Sequence, residues 1–197
     1  MAQSDEERRE REKYVINQSD GILPMYEAFY IEALTYCAGR ARSAFQRFDQ
    51  ALAEGRDPAT IVATAHEALT HVAALSRYFW PAREKPLHLA RARKLRKAFD
   101  IDDRSPLADR GLRNALEHFD ERLDTFLLQD LVGYLFPGPL VGAASLSEDA
   151  LGQIFRLVDP AAQIFVLVGQ EYEFGPMRGA VDDILEKLAP CEGGRFP

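Results

Sequence analysis

Three polar side chains in the middle of the chain have the types and spacing expected of a phosphodiester-cleaving site. Arg113 is followed directly by Asn114, and His118 comes five positions after the arginine. A histidine titrates near neutral pH, so it can take a proton from a ribose 2′-hydroxyl or give one to a leaving oxygen. An arginine stays charged, binds phosphate oxygens in a bidentate fork and stabilises the charge that grows in the transition state. The asparagine amide can fix the histidine tautomer or bind the phosphate.

The residues around this trio predict an amphipathic helix that begins at Ser105–Pro106 and reaches about Gln129. Apolar side chains recur at spacings of four, three, four and three, namely at Leu112, Leu116, Phe119, Leu123 and Phe126. On such a helix Arg113 and His118 point roughly 140° apart, whereas Asn114 and His118 can touch. Arg113 and Glu117 could form an ordinary ion pair. Two copies of the helix facing each other would bring an arginine and a histidine to one phosphate in a groove between protomers.

The segment Arg-Asn-Ala-Leu-Glu-His, residues 113–118, resembles the signature of the HEPN superfamily of helical ribonucleases. In that signature four to six residues separate the arginine from the histidine, and Asn, Asp or His is favoured after the arginine. The resemblance covers residues 24–135. It implies an up-and-down bundle with the motif on a late helix, paired protomers that build the cleft, and catalysis by Arg113, Asn114 and His118 without a metal or another cofactor.

The resemblance also implies a function and partners. We expect a metal-independent endoribonuclease that works as a homodimer and leaves a 2′,3′-cyclic phosphate and a 5′-hydroxyl. Members of the superfamily act as toxins, phage-defence effectors or RNA-processing enzymes, so RNA is the expected substrate and a protein antitoxin or regulator a further expected partner.

Two other interpretations of the same residues stay open. Some HEPN-like proteins bind without cleaving, which would make the chain a non-catalytic module that binds a nucleotide or a partner protein. In a plain bundle, Arg113 would pair with Glu117 and His118 would cap or pack. A third, weaker interpretation is a structural dimer whose C-terminal appendage recruits another protein.

A basic stretch precedes the motif. Between Arg83 and Lys97 there are seven basic residues, opposed only by Glu84, although the net charge of the whole chain is −7. That net charge argues against non-specific coating of nucleic acid, but it allows a local basic site. We expect this stretch to track RNA phosphates, with contacts from Arg91, Arg93, Lys94, Arg96 and Lys97. The alternative is a solvated helix whose charge is offset by nearby carboxylates.

The sequence predicts no metal site. His66 and His71 are five positions apart, whereas the zinc-protease pattern needs histidines four apart on one helix face. Cys37 and Cys191 lie far apart and match no zinc or redox spacing. His88 lies within the basic stretch, where we expect it to be solvated.

The pattern along the chain predicts a mainly α fold, an up-and-down helical bundle with a small C-terminal β-hairpin plus helix appendage. Three segments follow: a charged N-terminal segment (1–23), the HEPN-like bundle (24–135) and the appendage (150–190). No apolar run approaches the roughly 20 residues that span a bilayer, and no secretory signal is present, so we expect a cytoplasmic protein with no membrane partner.

Turn and cap signals predict the bounds of individual elements. Helices are expected over 4–14, 25–54, 57–79 and 86–99, with Asp57 as a cap and Pro58 at the first helical position. Five residues rich in turn propensity predict a loop: Gly133, Pro137, Gly138, Pro139 and Gly142. A hairpin is expected at 154–158 and 164–168, followed by a strand at 171–174 and a helix at 175–188.

Overall fold

The computed structural model describes residues 4–129, 134–143 and 154–197, apart from the side chain of Glu192. Within these ranges it contains seven α-helices and one four-stranded sheet, which confirms the mainly α fold class. The helices are α1 (Asp5–Ser19), α2 (Glu27–Ala53), α3 (Pro58–Phe79), α4 (Pro86–Ala98), α5 (Gly111–Glu117), α6 (Phe119–Leu127) and α7 (Gly175–Leu188). The strands are β1 (Phe136–Val141), β2 (Ile154–Asp159), β3 (Ile164–Leu167) and β4 (Gln170–Glu173). None of the described helices is both long and apolar enough to cross a membrane.

The long helices α2 and α3 form the centre of the bundle. Residues of α2 that recur at spacings of four and three are buried, and they include Leu34, Ala38, Ala41, Phe45 and Phe48. The small alanines let the neighbouring helix approach closely. At the start of α3, a side-chain oxygen of Asp57 accepts a hydrogen bond from the backbone N–H of Thr60 at 3.0 Å. This cap, with Pro58 directly after it, confirms the predicted helix start.

The predicted helix from Ser105 to Gln129 is not continuous, and that prediction was wrong. Ser105–Pro106 opens only a 3₁₀ turn (Pro106–Ala108), and α5 begins at Gly111. A second break occurs at His118, whose ψ of 42° is not helical. The ring of Phe119, the next residue, packs against Phe155 of β2 with the ring centroids 5.5 Å apart. The chain therefore turns towards the sheet immediately after the histidine.

The sheet has the strand order β1-β2-β3-β4, in which β1 and β2 are parallel and the other pairs are antiparallel. The hairpin between β2 and β3 confirms the prediction, and its turn is fixed because Oδ1 of Asp159 accepts bonds from the N–H groups of Ala161 and Ala162. The predicted third strand is also present, shifted by one residue towards the N-terminus.

The predicted loop is wrong for Pro137, Gly138 and Pro139, which lie in the strand β1. Gly142 follows the strand as a bend, and Gly133 lies outside the described residues. Proline cannot donate to a strand ladder and is tolerated mainly on edge strands. Among the described strands β1 lies at an edge and pairs only with β2, for example Pro139 with Arg156. Pro137 and Pro139 are therefore compatible with a strand that sequence patterns alone assign to a loop.

The sheet and α7 share one apolar core with the bundle. The ring of Phe174, just before α7, stacks on Phe45 of α2 with centroids 5.9 Å apart and meets Phe48 edge-on at 5.8 Å. All three residues belong to one cluster of buried side chains that also contains residues of α3, β2 and β3. The division into a 24–135 segment and a 150–190 segment stays a prediction, and position 150 lies outside the described residues.

Phe174→Ala should destabilise the whole protein by about 3–5 kcal/mol, because it removes a fully buried ring and leaves a cavity between α2 and α7. The free energy of unfolding measured in urea checks this. Tyr14→Ala, at an exposed position of α1, is the matched control and should change it by less than about 0.5 kcal/mol. Loss of the β-sheet and α7 alone, with the helical bundle still folded, would contradict a shared core.

Candidate functional site

The guanidinium of Arg113 lies inside the protein. The residue is 3% exposed, and its Nη1 donates a hydrogen bond to the backbone carbonyl of Trp80 at 2.7 Å. The ion pair with Glu117 that the plain-bundle interpretation requires does not form, since Glu117 pairs with Arg77, and the buried Nε has no acceptor among the described residues. Burial lowers the pKa of Arg113, with a smaller opposite effect from Glu117. Arg113 therefore joins α5 to the end of α3.

The side chain of Trp80 is also fixed by contacts with neighbouring residues. Its indole Nε1 donates to Oδ1 of Asp103 at 3.0 Å, and Nη1 of Arg96 donates to the same oxygen at 2.7 Å. The guanidinium of Arg96 also lies over the Trp80 ring, 5.6 Å from its centroid. With the carbonyl bound by Arg113, both ends of Trp80 are fixed, and so is the start of the turn that connects α3 to α4.

The outer face of α5 carries the other two predicted catalytic residues. Asn114 and His118 are both exposed, the His118 side chain to 58%, with Nδ1 3.8 Å from Oε2 of Glu121. No hydrogen bond joins the side chains of Asn114 and His118 in the described part of the chain. Since Arg113 points inward, one protomer does not bring Arg113 and His118 to a common groove.

A cationic groove lies beside this face. It has a volume of about 430 Å³ and lies between α2, the end of α3, the α3–α4 turn and α4. Its charged lining comes from Arg77, Arg83 and Arg91, and His88 also lines it. Arg77 also connects the groove to α5, because its Nη1 is 3.0 Å from Oε1 of Glu117, the residue directly before His118.

Electrostatics in the groove favour a bound anion. Burial, and then the positive charges of Arg91, Lys85 and Arg83, lower the pKa of His88 and disfavour its protonation, while Glu12 of α1 acts in the opposite direction. None of the residues that line the groove carries a carboxylate. Positive potential in a concave surface concentrates anionic ligands such as phosphates.

Of the five predicted phosphate-binding residues, only Arg91 lines the groove. Lys94 pairs with Glu27 at 2.9 Å and donates to the carbonyl of Ile22 at 2.8 Å, so it joins α4 to the start of α2. Arg96 is bound to Asp103, as described above. Arg93 and Lys97 are exposed, with no ion pair to any described residue. Their contact with RNA stays a prediction.

Sequence reasoning missed Arg77, counted Arg83 as part of the basic stretch but not among the named phosphate contacts, and treated His88 as solvated. The signal that could have found Arg77 is its position in the last turn of α3, directly ahead of three adjacent aromatic residues (Tyr78, Phe79 and Trp80) and of the basic stretch. Whether an arginine near a helix end faces a groove depends on tertiary packing, which in this case comes from α2 and α4.

The paired histidines of α3 have separate environments. The ring of His66 packs against Phe165 with centroids 5.8 Å apart, and Nε2 of His71 is 4.0 Å from Oε1 of Glu67. Burial and the nearby Arg156 lower the pKa of His66. Residues 4–129, 134–143 and 154–197 contain no cluster of three or more His, Cys, Asp or Glu side chains suited to a metal ion.

No family model, curated protein or solved structure matches the chain. The geometry of the groove and of α5 therefore carries the functional argument.

Arg113→Met should lower the free energy of unfolding by about 1–3 kcal/mol, because it leaves the buried Trp80 carbonyl without its donor. The fluorescence of Trp80, the only tryptophan in the chain, should change in the folded variant. Arg104→Met is the control, since the Arg104 side chain is 92% exposed and pairs only with nearby Asp102. Equal stability and fluorescence in both variants would argue against a positioning role for Arg113.

Proposed function

We propose that this protein is an RNA-binding, metal-independent endoribonuclease whose catalytic side chain is His118. The observation that carries the proposal is the position of an exposed imidazole at the end of α5, one residue from the Glu117–Arg77 contact that borders the cationic groove. The groove supplies charge for the RNA backbone, and the imidazole supplies a general base or acid.

The chemistry would be transesterification followed by release of the downstream strand. The neutral imidazole of His118 takes the proton of a ribose 2′-hydroxyl, and the 2′-oxygen forms a bond to phosphorus. The bond from phosphorus to the 5′-oxygen breaks, and the leaving oxygen takes a proton from a second acid. This sequence leaves a 2′,3′-cyclic phosphate and a 5′-hydroxyl. The second acid would be the imidazolium of the partner's His118.

Arg113 would act mainly by positioning. Its resemblance to the arginine of the HEPN signature predicts a direct contact with the scissile phosphate, and that contact stays a prediction. In the folded chain its guanidinium is bound to Trp80 and thereby holds the turn that carries Arg83. Asn114, exposed on the same face as His118, would bind the phosphate or orient the imidazole.

A second candidate function is favoured by the burial of Arg113. If no arginine of the motif reaches the RNA, the same surface would serve a non-catalytic module that binds RNA or a nucleotide. A role as toxin, defence effector or RNA-processing enzyme, and a cognate regulator, remain predictions from the resemblance.

The proposed homodimer would form through an exposed aromatic face at the start of α2. Phe29 is 72% exposed and Tyr36 60% exposed, and these residues lie seven apart, on one side of the helix. Met25 and Tyr26 extend the same exposed apolar surface. In an antiparallel pair of α2 helices, Phe29 would face the partner's Tyr36 and Tyr36 the partner's Phe29, so the surface is complementary to itself, as a twofold interface requires.

The purified protein should cleave single-stranded RNA in EDTA and leave cyclic-phosphate ends, and His118→Ala should reduce the rate about 10²–10⁴-fold, as expected for loss of a general base or acid. RNA binding should be unchanged in this variant. His71→Gln, which alters another histidine that lies on α3, is the matched control and should cleave like the wild type.

Three outcomes of this experiment decide between the candidates. Binding without cleavage by the wild-type protein would favour the non-catalytic module. Equal cleavage by the wild type and His118→Ala would exclude the proposed mechanism. Neither binding nor cleavage would remove RNA as the ligand.

Phe29→Glu should convert the dimer into a monomer, because it places a charge in the proposed apolar contact between Phe29 and the partner's Tyr36. Light scattering coupled to size-exclusion chromatography measures the mass. Leu128→Glu, at an exposed apolar position at the end of α6, is the control and should leave the mass unchanged. A wild-type protein that is monomeric at micromolar concentration would contradict the proposed interface.

A further inference from the structure

We propose that the cationic groove is a pocket for a single ribonucleotide unit, with its phosphate on Arg83 and Arg91 and its base against Tyr78. The proposal rests on the proposed function only for the choice of RNA as the source of that nucleotide. The pocket itself is inferred from the contacts of Arg91, Arg83 and Tyr78.

The phosphate end is preorganised by Arg91. Nη2 of this residue donates to the carbonyl of Arg77 at 3.0 Å, and its guanidinium lies over the Tyr78 ring, 5.8 Å from the centroid. This is the only hydrogen bond that the Arg91 side chain makes to the described residues, and its Nε is buried without an acceptor. The remaining N–H groups of its Nη1 and Nη2 are therefore left for phosphate oxygens, whereas the Nε–H is buried.

Arg83 supplies a second charge to the groove. It lies in the α3–α4 turn, is exposed, and has no ion pair within the described ranges. The turn is held in place through Trp80, whose carbonyl is bound by Arg113. Two arginines presented from separate elements, one of them on a turn whose backbone is held through Trp80, raise the positive potential that attracts a phosphate.

The helix that carries Arg91 is itself fixed by a close backbone contact. Gly21, between α1 and α2, has a φ of +89°, and a Cβ at this position would lie 2.4 Å from the backbone N of Arg91. Only glycine combines that backbone conformation with so close an approach. Gly21 therefore sets the position of α4 against the rest of the groove.

The rest of the groove lining, next to Arg91, is apolar and aromatic. Tyr78, Ala74 and Cys37 contribute to it, and the Tyr78 ring meets Tyr30 edge-on with the centroids 6.5 Å apart. Burial raises the pKa of the Cys37 thiol, which keeps this wall uncharged. Aromatic side chains stack on any base with little sequence preference. A nucleotide has both an anionic and an aromatic end, whereas free phosphate would leave the apolar half unfilled.

The volume of the groove and its connection to α5 agree with a bound nucleotide. The volume of about 430 Å³ falls within the usual range for small-molecule pockets, roughly 300–1,000 Å³, and suits one nucleotide unit. Arg77 forms one wall and contacts Glu117, next to His118. A strand with one nucleotide in the groove would continue along the face of α5 that carries the imidazole.

Binding titrations of the 197-residue protein test the proposal. The three ligands are adenosine 5′-monophosphate, a non-cleavable 2′-O-methyl tetranucleotide and inorganic phosphate. Trp80 fluorescence and calorimetry report binding. We expect the nucleotide and the tetranucleotide to bind at least about tenfold more tightly than phosphate, since only they use the aromatic wall. Equal affinity for phosphate would overturn the base contact, and nucleotide binding without tetranucleotide binding would overturn the assignment to RNA.

Variants locate the ligand within the groove. Arg83→Met and Arg91→Met should each weaken nucleotide binding roughly tenfold or more, as expected for loss of a charged hydrogen bond. Tyr78→Leu should weaken binding of the nucleotide but not of phosphate. Arg93→Met, two residues from Arg91 on the same helix and outside the groove, is the control and should bind normally. Because Arg83 is exposed, normal nucleotide binding by Arg83→Met would overturn the proposal without a folding ambiguity.

Failure of the proposal and failure of the proposed function have different signatures. His118→Ala should lose cleavage and keep nucleotide binding. A protein that binds nucleotide in a manner that depends on Arg83 and Arg91, and yet cleaves no RNA, would support the nucleotide pocket and overturn the nuclease proposal. Cleavage that depends on His118, in a protein whose nucleotide binding is unaffected by loss of Arg83 or Arg91, would support the nuclease proposal and overturn the nucleotide pocket.

Discussion

The hydrogen bond from Arg113 to the carbonyl of Trp80 is the interaction on which the candidate site depends. Carbonyls in the last turn of a helix have no partner within the helix, and Trp80 directly follows the last residue of α3. Arg113 donates from α5 to the carbonyl of Trp80, directly beyond that last turn, at a distance of 2.7 Å. It also places a positive charge at the end of α3, where the helix dipole is negative. The bond therefore fixes both α5 and the turn that leads into the groove.

Several cations converge on this same end of α3. Arg77 lies in the last helical turn of α3, and Arg83 lies in the connection between α3 and α4. Arg113 reaches the same helix end from α5 through the carbonyl of Trp80. The helix dipole offsets part of their mutual repulsion, and the Arg77–Glu117 pair neutralises one of them. The charges that are not paired produce a positive potential next to His118, which an anionic ligand would neutralise. Structural stability at the helix end and affinity for an anion therefore come from the same charges.

Local signals in the sequence predicted most of the elements, since the Asp57–Pro58 cap and the hairpin turn at Asp159 act over a few residues. The break at His118 could not be predicted, because neither glycine nor proline marks it and the packing of Phe119 against the sheet decides it. Helix geometry did indicate that Arg113 and His118 diverge. It could not tell which of them faces the interior, because that depends on how α5 packs against α3.

The edges of the sheet limit how molecules of this protein can associate. Pro137 and Pro139 in β1 present no N–H groups, and the opposite edge, β4, is short and carries the exposed carboxylates of Glu171 and Glu173. Both features oppose the addition of a foreign strand. Intermolecular ladders, the first step of fibrous aggregation, are thereby disfavoured on both sides of the described sheet. Self-assembly is left to helical surfaces, where contacts are finite and can close on themselves.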